Sequence, residues 1–187
     1  ARMLRAAYPA AKLGDARVPV LAGALASSDR PFLQQLYRAG IKGFYDGLSV
    51  HPYVAGSPYD AVPAGSTPEW TFGPGLRWIH ALQLASGDRA PIWVTEFGWS
   101  TATAGAVSSS LQARYILGAF SILKGIRYVR AAIVYNLRDK GADRAGIEDN
   151  FGLLDPSFAP KPAFWAFAQS MGKTAAAVAA LIGFKHG

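Results

Sequence analysis

The stretch PIWVTEFGWST, residues 91–101, decides the fold of this 187-residue chain, because it contains a strand pattern that ends at a charged residue. Its first half is an almost unbroken run of apolar and β-branched residues, which is typical of a strand buried on both faces of a parallel sheet. The run ends at Glu96, one of only three glutamates in the chain. A carboxylate at that position is costly to bury unless it has a partner or a task.

Working outward from this stretch, strand patterns alternate with longer helical patterns four times. The other strand patterns are RVPVLAGAL (17–25), YDGLSVHPY (45–53) and VRAAIVYNL (129–137). The helical patterns are ARMLRAAYPAAK (1–12), RPFLQQLYRAG (30–40), GPGLRWIHALQLASG (73–87), SSSLQARYILGAFSILKG (108–125) and KPAFWAFAQSMG (161–172). We expect three of these helices to end at Gly40, Gly87 and Gly125. The order predicts one α/β domain over residues 1–187, with a parallel sheet and outer helices.

Composition excludes several classes of function. The chain has no cysteine, so thiol chemistry and cysteine-bound zinc are excluded. The net charge of +7 comes from scattered Lys and Arg, which favours a solvated basic surface over a nucleic-acid site. No segment is long enough to predict a membrane span, and residues 174–187 are expected to be a packed tail or a linker remnant. Metals and nucleotide cofactors are not expected, because His51, His80 and His186 lack ligand spacing and no Gly-rich phosphate loop is present.

Polar and aromatic residues cluster where the predicted strands end, at the edge that carries sites in parallel α/β folds. His51 and Tyr53 lie two positions apart, so their side chains are expected on the same side of the strand. Each has a plain alternative: Glu96 could form a salt bridge, His51 could be a satisfied core histidine and the aromatic residues could be core. Together they are typical of a sugar site, in which rings stack on sugar faces and polar groups bind hydroxyls. The further candidates for substrate binding are Trp70, Trp99, Tyr135 and Asn136.

Three stretches, PIWVTEFGWST, LSVHPY and FGLLDPSFAPKPAFWAF, resemble strands seven, six and the closing segment of retaining glycoside hydrolases of clan A. These enzymes are (β/α)8 barrels that include cellulases and β-xylosidases. The resemblance implies that Glu96 is the nucleophile, that Tyr53 orients it and that His51 belongs to the polar network around it. It also implies a carbohydrate substrate and a secreted or cell-surface bacterial protein. At the eighth strand, Tyr135 or Asn136 stands where many relatives have a sugar-stacking Trp.

The resemblance covers strands five to eight of the barrel, which makes the chain a C-terminal half of a TIM barrel. The family's acid/base glutamate follows an Asn at the end of the fourth strand, and this sequence has no Asn-Glu pair. We therefore expect the acid/base upstream of this chain, and an N-terminal half-barrel or a second chain covering the open strand edges. Two alternatives remain: a non-catalytic carbohydrate-binding half-barrel, and an α/β module whose aromatic rim binds a protein.

Overall fold

The computed structural model describes residues 1–173, so the predicted tail at 174–187 lies outside the described residues. The helices are α1 (Arg2–Gly14), α2 (Arg30–Arg38), α3 (Phe72–Ala85), α4 (Ser109–Lys124) and α5 (Pro162–Ser170). The strands are β1 (Leu21–Ala26), β2 (Gly47–His51), β3 (Ile92–Phe97) and β4 (Val129–Val134). Two short 3-10 turns, Pro68–Trp70 and Ile147–Asp149, lie in the long connections. The predicted α/β order is confirmed.

The four strands form one parallel sheet in chain order, β1-β2-β3-β4. Ser49 of β2 is opposite Trp93 of β3, and Val50 is opposite Val94. A repeated βα unit produces this order, because each helix returns the chain so that the next strand runs parallel to the one before it and pairs beside it. All four carboxyl ends therefore lie along the same edge of the sheet.

The strands are shorter than their sequence patterns. The pattern of the first strand begins at Arg17, whereas β1 begins at Leu21. The intervening backbone is used elsewhere, because the amide of Val20 donates to Asp46 Oδ2 and the carbonyl of Val18 accepts from Lys12 Nζ. Strand β2 is also shorter than its pattern, which runs to Tyr53. Pro52 has no amide to donate, so the backbone hydrogen bonds of β2 stop at His51.

The two outer strands are less buried than the central strand β2. Every residue of β2 from Gly47 to Val50 is buried, but in β1 the residues Gly23 and Ala24 are exposed. On β4 the side chain of Ile133 is 53% exposed. An outer strand has a neighbour on only one side, which leaves part of its apolar surface uncovered in this chain.

Two of the three predicted glycine helix ends adopt the expected conformation. Gly40 has φ 73° and Gly87 has φ 67°, the left-handed region in which glycine is the least strained residue. Helix α4 also ends as predicted, at Lys124 directly before Gly125, but Gly125 has no positive φ. The chain continues instead through tight turns in which the amides of Gly125 and Ile126 donate to Ile122 and Leu123.

The chain divides into two compact units. The first contains Ala1–Phe97 with Ile122–Ile133, and its core includes Leu48, Val94 and Phe97. The second contains Gly98–Ser121 and, of the described residues, 134–173, and its core includes Trp99 and Ile116. The single domain predicted over residues 1–187 stays a prediction. Among the described residues, no helix is both long and apolar enough to cross a membrane.

Candidate active site

Glu96 lies near the carboxyl end of β3, where two side chains from the β2 end contact the same oxygen. The hydroxyl of Tyr53 donates to Glu96 Oε2 at 2.9 Å. Nδ1 of His51 lies 3.5 Å from that oxygen. The Glu96 side chain is 37% exposed, so the carboxylate is held by protein on one side and open on another. Such a carboxylate is oriented by the Tyr53 hydroxyl and accessible to a ligand.

Hydroxyl groups on the two central strands, β2 and β3, orient the ring of His51. Its Nε2 lies 2.9 Å from Thr95 Oγ1, and that hydroxyl also contacts Ser49 Oγ. Ser49 and His51 are two residues apart on β2, so the pleat places both side chains on the face where Thr95 of β3 meets them. The His51 and Tyr53 rings meet edge to face, with centroids 6.3 Å apart.

The long connection after β2 is tied to the end of β1. The hydroxyl of Ser27 donates to Glu69 Oε1 at 3.2 Å, and the amide of Ser28 donates to the Glu69 carbonyl at 3.1 Å. The amide of Ser27 donates in turn to the carbonyl of His51 at 3.0 Å. Trp70, the next residue along, is 66% exposed. Trp70, a candidate substrate-binding residue, therefore has a solvent-exposed ring on a segment that is hydrogen-bonded to the end of β1.

The other three candidates for substrate binding lie in the second compact unit. Trp99 is 3% exposed; its ring packs on Tyr115 with centroids 5.5 Å apart, and its carbonyl accepts from Gln112. In this structure the Trp99 ring offers no face to a ligand. Tyr135 is half-buried and packs edge to face on Phe151. Within the described part of the chain, the buried Oδ1 of Asn136 has no hydrogen-bond partner.

The two remaining glutamates have different surroundings from Glu96. Glu69 is half-buried and hydrogen-bonded to Ser27, whereas Glu148 is 78% exposed and lies 4.0 Å from Lys140. Over residues 1–173, no group of three or more His, Asp or Glu side chains has the arrangement of a metal site.

Several polar residues of the site were not predicted. Thr95 and Ser49 lie inside strand patterns, where Thr is read as a β-forming residue and Ser as neutral. The signal that could have found Ser49 is the alternation Ser49, His51, Tyr53, which puts three polar side chains on one side of β2. The contact between Ser27 and Glu69 joins residues 42 positions apart, and no local pattern marks it.

Comparison with known proteins relates the fold to glycoside hydrolases. No protein-family model matches the sequence, and no curated protein matches it. Among solved structures, a family 39 glycoside hydrolase from the gut symbiont Bacteroides cellulosilyticus WH2 matches with a TM-score of 0.72 and 27% identity. That match covers 92% of this chain and 37% of the other chain.

A β-glucuronidase from Ruminococcus gnavus matches with a TM-score of 0.63 and 18% identity, over 92% of this chain and 29% of the other. The same enzyme in complex with D-glucuronic acid gives a TM-score of 0.59 at 16% identity, over 90% and 29% of the two chains. These two matches carry the fold alone. The chain has an α/β fold that matches part of a TIM barrel, and it spans about a third of the structures it resembles.

Proposed function

We propose that this chain is the nucleophile-bearing half of a retaining β-glycosidase barrel, with Glu96 as the nucleophile. The observation that carries the proposal is the accessible Glu96 carboxylate at the carboxyl edge of the sheet, with one oxygen hydrogen-bonded by Tyr53 and 3.5 Å from His51. Strand carboxyl ends carry the catalytic residues in (β/α)8 enzymes. The family 39 glycoside hydrolase that the chain resembles supports the same kind of chemistry.

In this mechanism the Glu96 carboxylate attacks the anomeric carbon as the glycosidic C–O bond breaks. A covalent glycosyl ester forms on Glu96, and water then cleaves it with a second inversion, so configuration is retained overall. The Tyr53 hydroxyl holds Oε2 by a hydrogen bond to a charged acceptor, which limits the rotation of the carboxylate. His51, fixed through Thr95, places a second polar group 3.5 Å from the same oxygen.

Retention needs a second carboxyl group about 5 to 5.5 Å from the nucleophile, which protonates the leaving oxygen and then activates water. Glu69 and Glu148 are engaged elsewhere, with Ser27 and Lys140 respectively. We therefore assign the acid/base to the other half of the barrel, supplied by residues outside this chain. That half would also pair with the outer strands β1 and β4.

A non-catalytic carbohydrate-binding role is the second candidate. It is favoured by the exposed Trp70 ring beside Glu69, which can bind a sugar without any acid/base. The two proposals differ in what they require of Glu96. Turnover depends on its carboxylate, whereas binding at Trp70 does not.

The test uses the protein that joins this chain to the proposed first half-barrel. A 2,4-dinitrophenyl 2-deoxy-2-fluoro-β-glycoside should label it once, and peptide mapping should place the label on Glu96. Hydrolysis of an aryl β-glycoside should fall by at least about a thousandfold in Glu96→Gln, since the covalent step is lost. Azide should restore turnover in Glu96→Ala with an α-glycosyl azide as product.

The matched control is Glu148→Gln, which changes an exposed glutamate and should leave the rate within about twofold. Hydrolysis that survives Glu96→Gln, or a label on another residue, would overturn the assignment. Sugar affinity with no turnover in the joined protein would favour the binding role instead.

A further inference from the structure

A pocket of about 380 Å³ opens in the long connection between β2 and α3, a volume typical of small-molecule sites. We call it the loop pocket. Its lining includes Asp60, Ser66, Thr67, Glu69, Trp70 and Thr71. The Trp70 ring, 66% exposed, is the largest side chain in the lining and gives it an open aromatic face.

The loop pocket is anchored to the same sheet edge as Glu96. Ser27 follows β1 and bonds both to the Glu69 side chain and, through its amide, to the carbonyl of His51. His51 lies 3.5 Å from Glu96. Ser27 holds this place with φ 55°, a left-handed conformation that costs a serine energy. A strained residue therefore links the pocket wall to the nucleophile's neighbour.

The chemistry of the lining selects the ligand. Two carboxylates, of Asp60 and Glu69, can accept hydrogen bonds from sugar hydroxyl groups, and the hydroxyls of Ser66 and Thr67 can donate or accept. The hydroxyl of Thr71 donates to the Pro68 carbonyl at 2.7 Å. An aromatic face suits the C–H side of a pyranose ring. Among the residues that the structure describes, no Lys, Arg or His lines the pocket, so a carboxylate on the sugar would meet two like charges without a compensating cation from them.

We propose that the loop pocket is a second sugar subsite that binds a neutral pyranose unit, and not a uronic acid, of the oligosaccharide cleaved at Glu96. This inference rests on the proposed function for its link to cleavage. Trp70 stacks on the sugar ring, and Glu69, oriented by Ser27, accepts from its hydroxyl groups. The protein therefore prefers neutral oligosaccharides of two or more sugar units to a single sugar.

The experiment titrates the 15N-labelled chain with cellotetraose, xylotetraose and mannotetraose, and separately with tetragalacturonic acid. At least one neutral tetrasaccharide should shift the indole N–H signal of Trp70, and tetragalacturonic acid should bind at least tenfold more weakly. By calorimetry, Trp70→Ala should weaken the neutral ligand at least about tenfold, and Glu69→Gln about fivefold.

The matched control is Phe32→Ala, which removes another exposed aromatic ring, on α2 and outside the loop pocket. It should leave the affinity unchanged. Because Trp70 is exposed, its truncation should preserve the fold, and the amide spectrum of each variant checks this. The proposal is overturned if no neutral tetrasaccharide shifts Trp70, if Trp70→Ala binds normally, or if tetragalacturonic acid binds as tightly as the neutral chains.

Kinetics on the joined protein separates this inference from the proposed function. Trp70→Ala should raise KM for the preferred tetrasaccharide at least about tenfold, whereas the control Phe32→Ala should leave it within about twofold. If Glu96→Gln abolishes hydrolysis but Trp70→Ala has no effect on the tetrasaccharide, the subsite fails and the nucleophile stands. If Trp70 binds neutral sugar but hydrolysis survives Glu96→Gln, the nucleophile fails and the sugar site stands.

Discussion

The hydroxyl of Tyr53 donates a hydrogen bond to the candidate nucleophile, at 2.9 Å from Glu96 Oε2. Its loss should leave the fold intact and the carboxylate less well oriented. We expect Tyr53→Phe in the joined protein to lower kcat/KM for an aryl β-glycoside by about 10- to 100-fold, the value of a hydrogen bond to a charged group. Steady-state kinetics measures it.

Tyr59→Phe is the control for this change, because Tyr59 lies in the same connection with its side chain 65% exposed. It should keep kcat/KM within about twofold. A Tyr53→Phe enzyme as active as the parent would show that the hydroxyl does not orient the nucleophile.

Residue by residue, the sequence predicted what alternation and position determine. Glu96 ends an apolar run, and the spacing of His51 and Tyr53 predicts that both side chains point the same way at the end of β2. In the structure both lie beside Glu96. The burial of Trp99 could not be predicted, because it follows from tertiary packing on Tyr115. An aromatic residue next to a strand end can face a ligand or the core, and local sequence does not distinguish the two.

At the scale of elements, a buried carboxylate joins α2, α3 and the segments before β2 and β3. Asp88 is 6% exposed and accepts from Tyr45, from Tyr37 at 2.6 Å and from the Ala90 amide at 2.9 Å. The side-chain amide of Gln83 donates to Asp88 Oδ2 at 3.4 Å and to the Ala90 carbonyl at 3.1 Å. Burial raises the pKa of Asp88, but these hydrogen bonds outweigh it and hold the pKa below its ordinary value. Burial is also the main cause that raises the pKa of Tyr37 and of Tyr45.

This cluster makes stability depend on pH. A carboxyl whose pKa is lower in the folded state stabilises the fold above its unfolded value, and the contribution is lost as pH falls through the folded value. We expect Asp88→Asn to lower the free energy of unfolding by about 1 to 3 kcal/mol at pH 7, because the two tyrosine donors lose their charged acceptor.

Urea unfolding at pH 7 and at pH 3 measures the effect. The difference between parent and Asp88→Asn should shrink at the lower pH, where the parent loses the same contribution. Asp60→Asn is the control, as an exposed carboxylate in a loop of the same unit. A difference that stays constant down to pH 3 would contradict the role given to the Asp88 charge.

The order and type of the elements could be predicted because the strands are short apolar runs and the helices are longer segments with helical periodicity. Their ends could not, because long-range partners set them. Residues before Leu21 are bound by Lys12 and Asp46 rather than by the sheet, and no pattern within the strand reveals this. The same holds for the exposure of β4, which depends on what lies beside its outer edge.

At the scale of the whole molecule, this chain corresponds to only part of the glycosidase structures that it resembles. The chain covers 37% and 29% of two of the glycosidase chains it resembles, and four strands are half of an eight-stranded barrel. Its outer strands expose Gly23, Ala24 and Ile133. If the proposed first half-barrel pairs with both outer strands, it satisfies their free backbone groups and buries this surface.

Amide hydrogen exchange tests that pairing strand by strand. In the protein that joins both halves, the amides of β1 and β4 should exchange at least about tenfold more slowly than in the 187-residue chain, because opening then requires a larger cooperative unit. The central strands β2 and β3 are the internal control, since both of their edges are already paired within the chain. Joining should also raise the melting temperature, by a few degrees for each kcal/mol gained. Equal exchange of β1 and β4 in the two proteins would contradict barrel closure, and the acid/base would then have to come from another source.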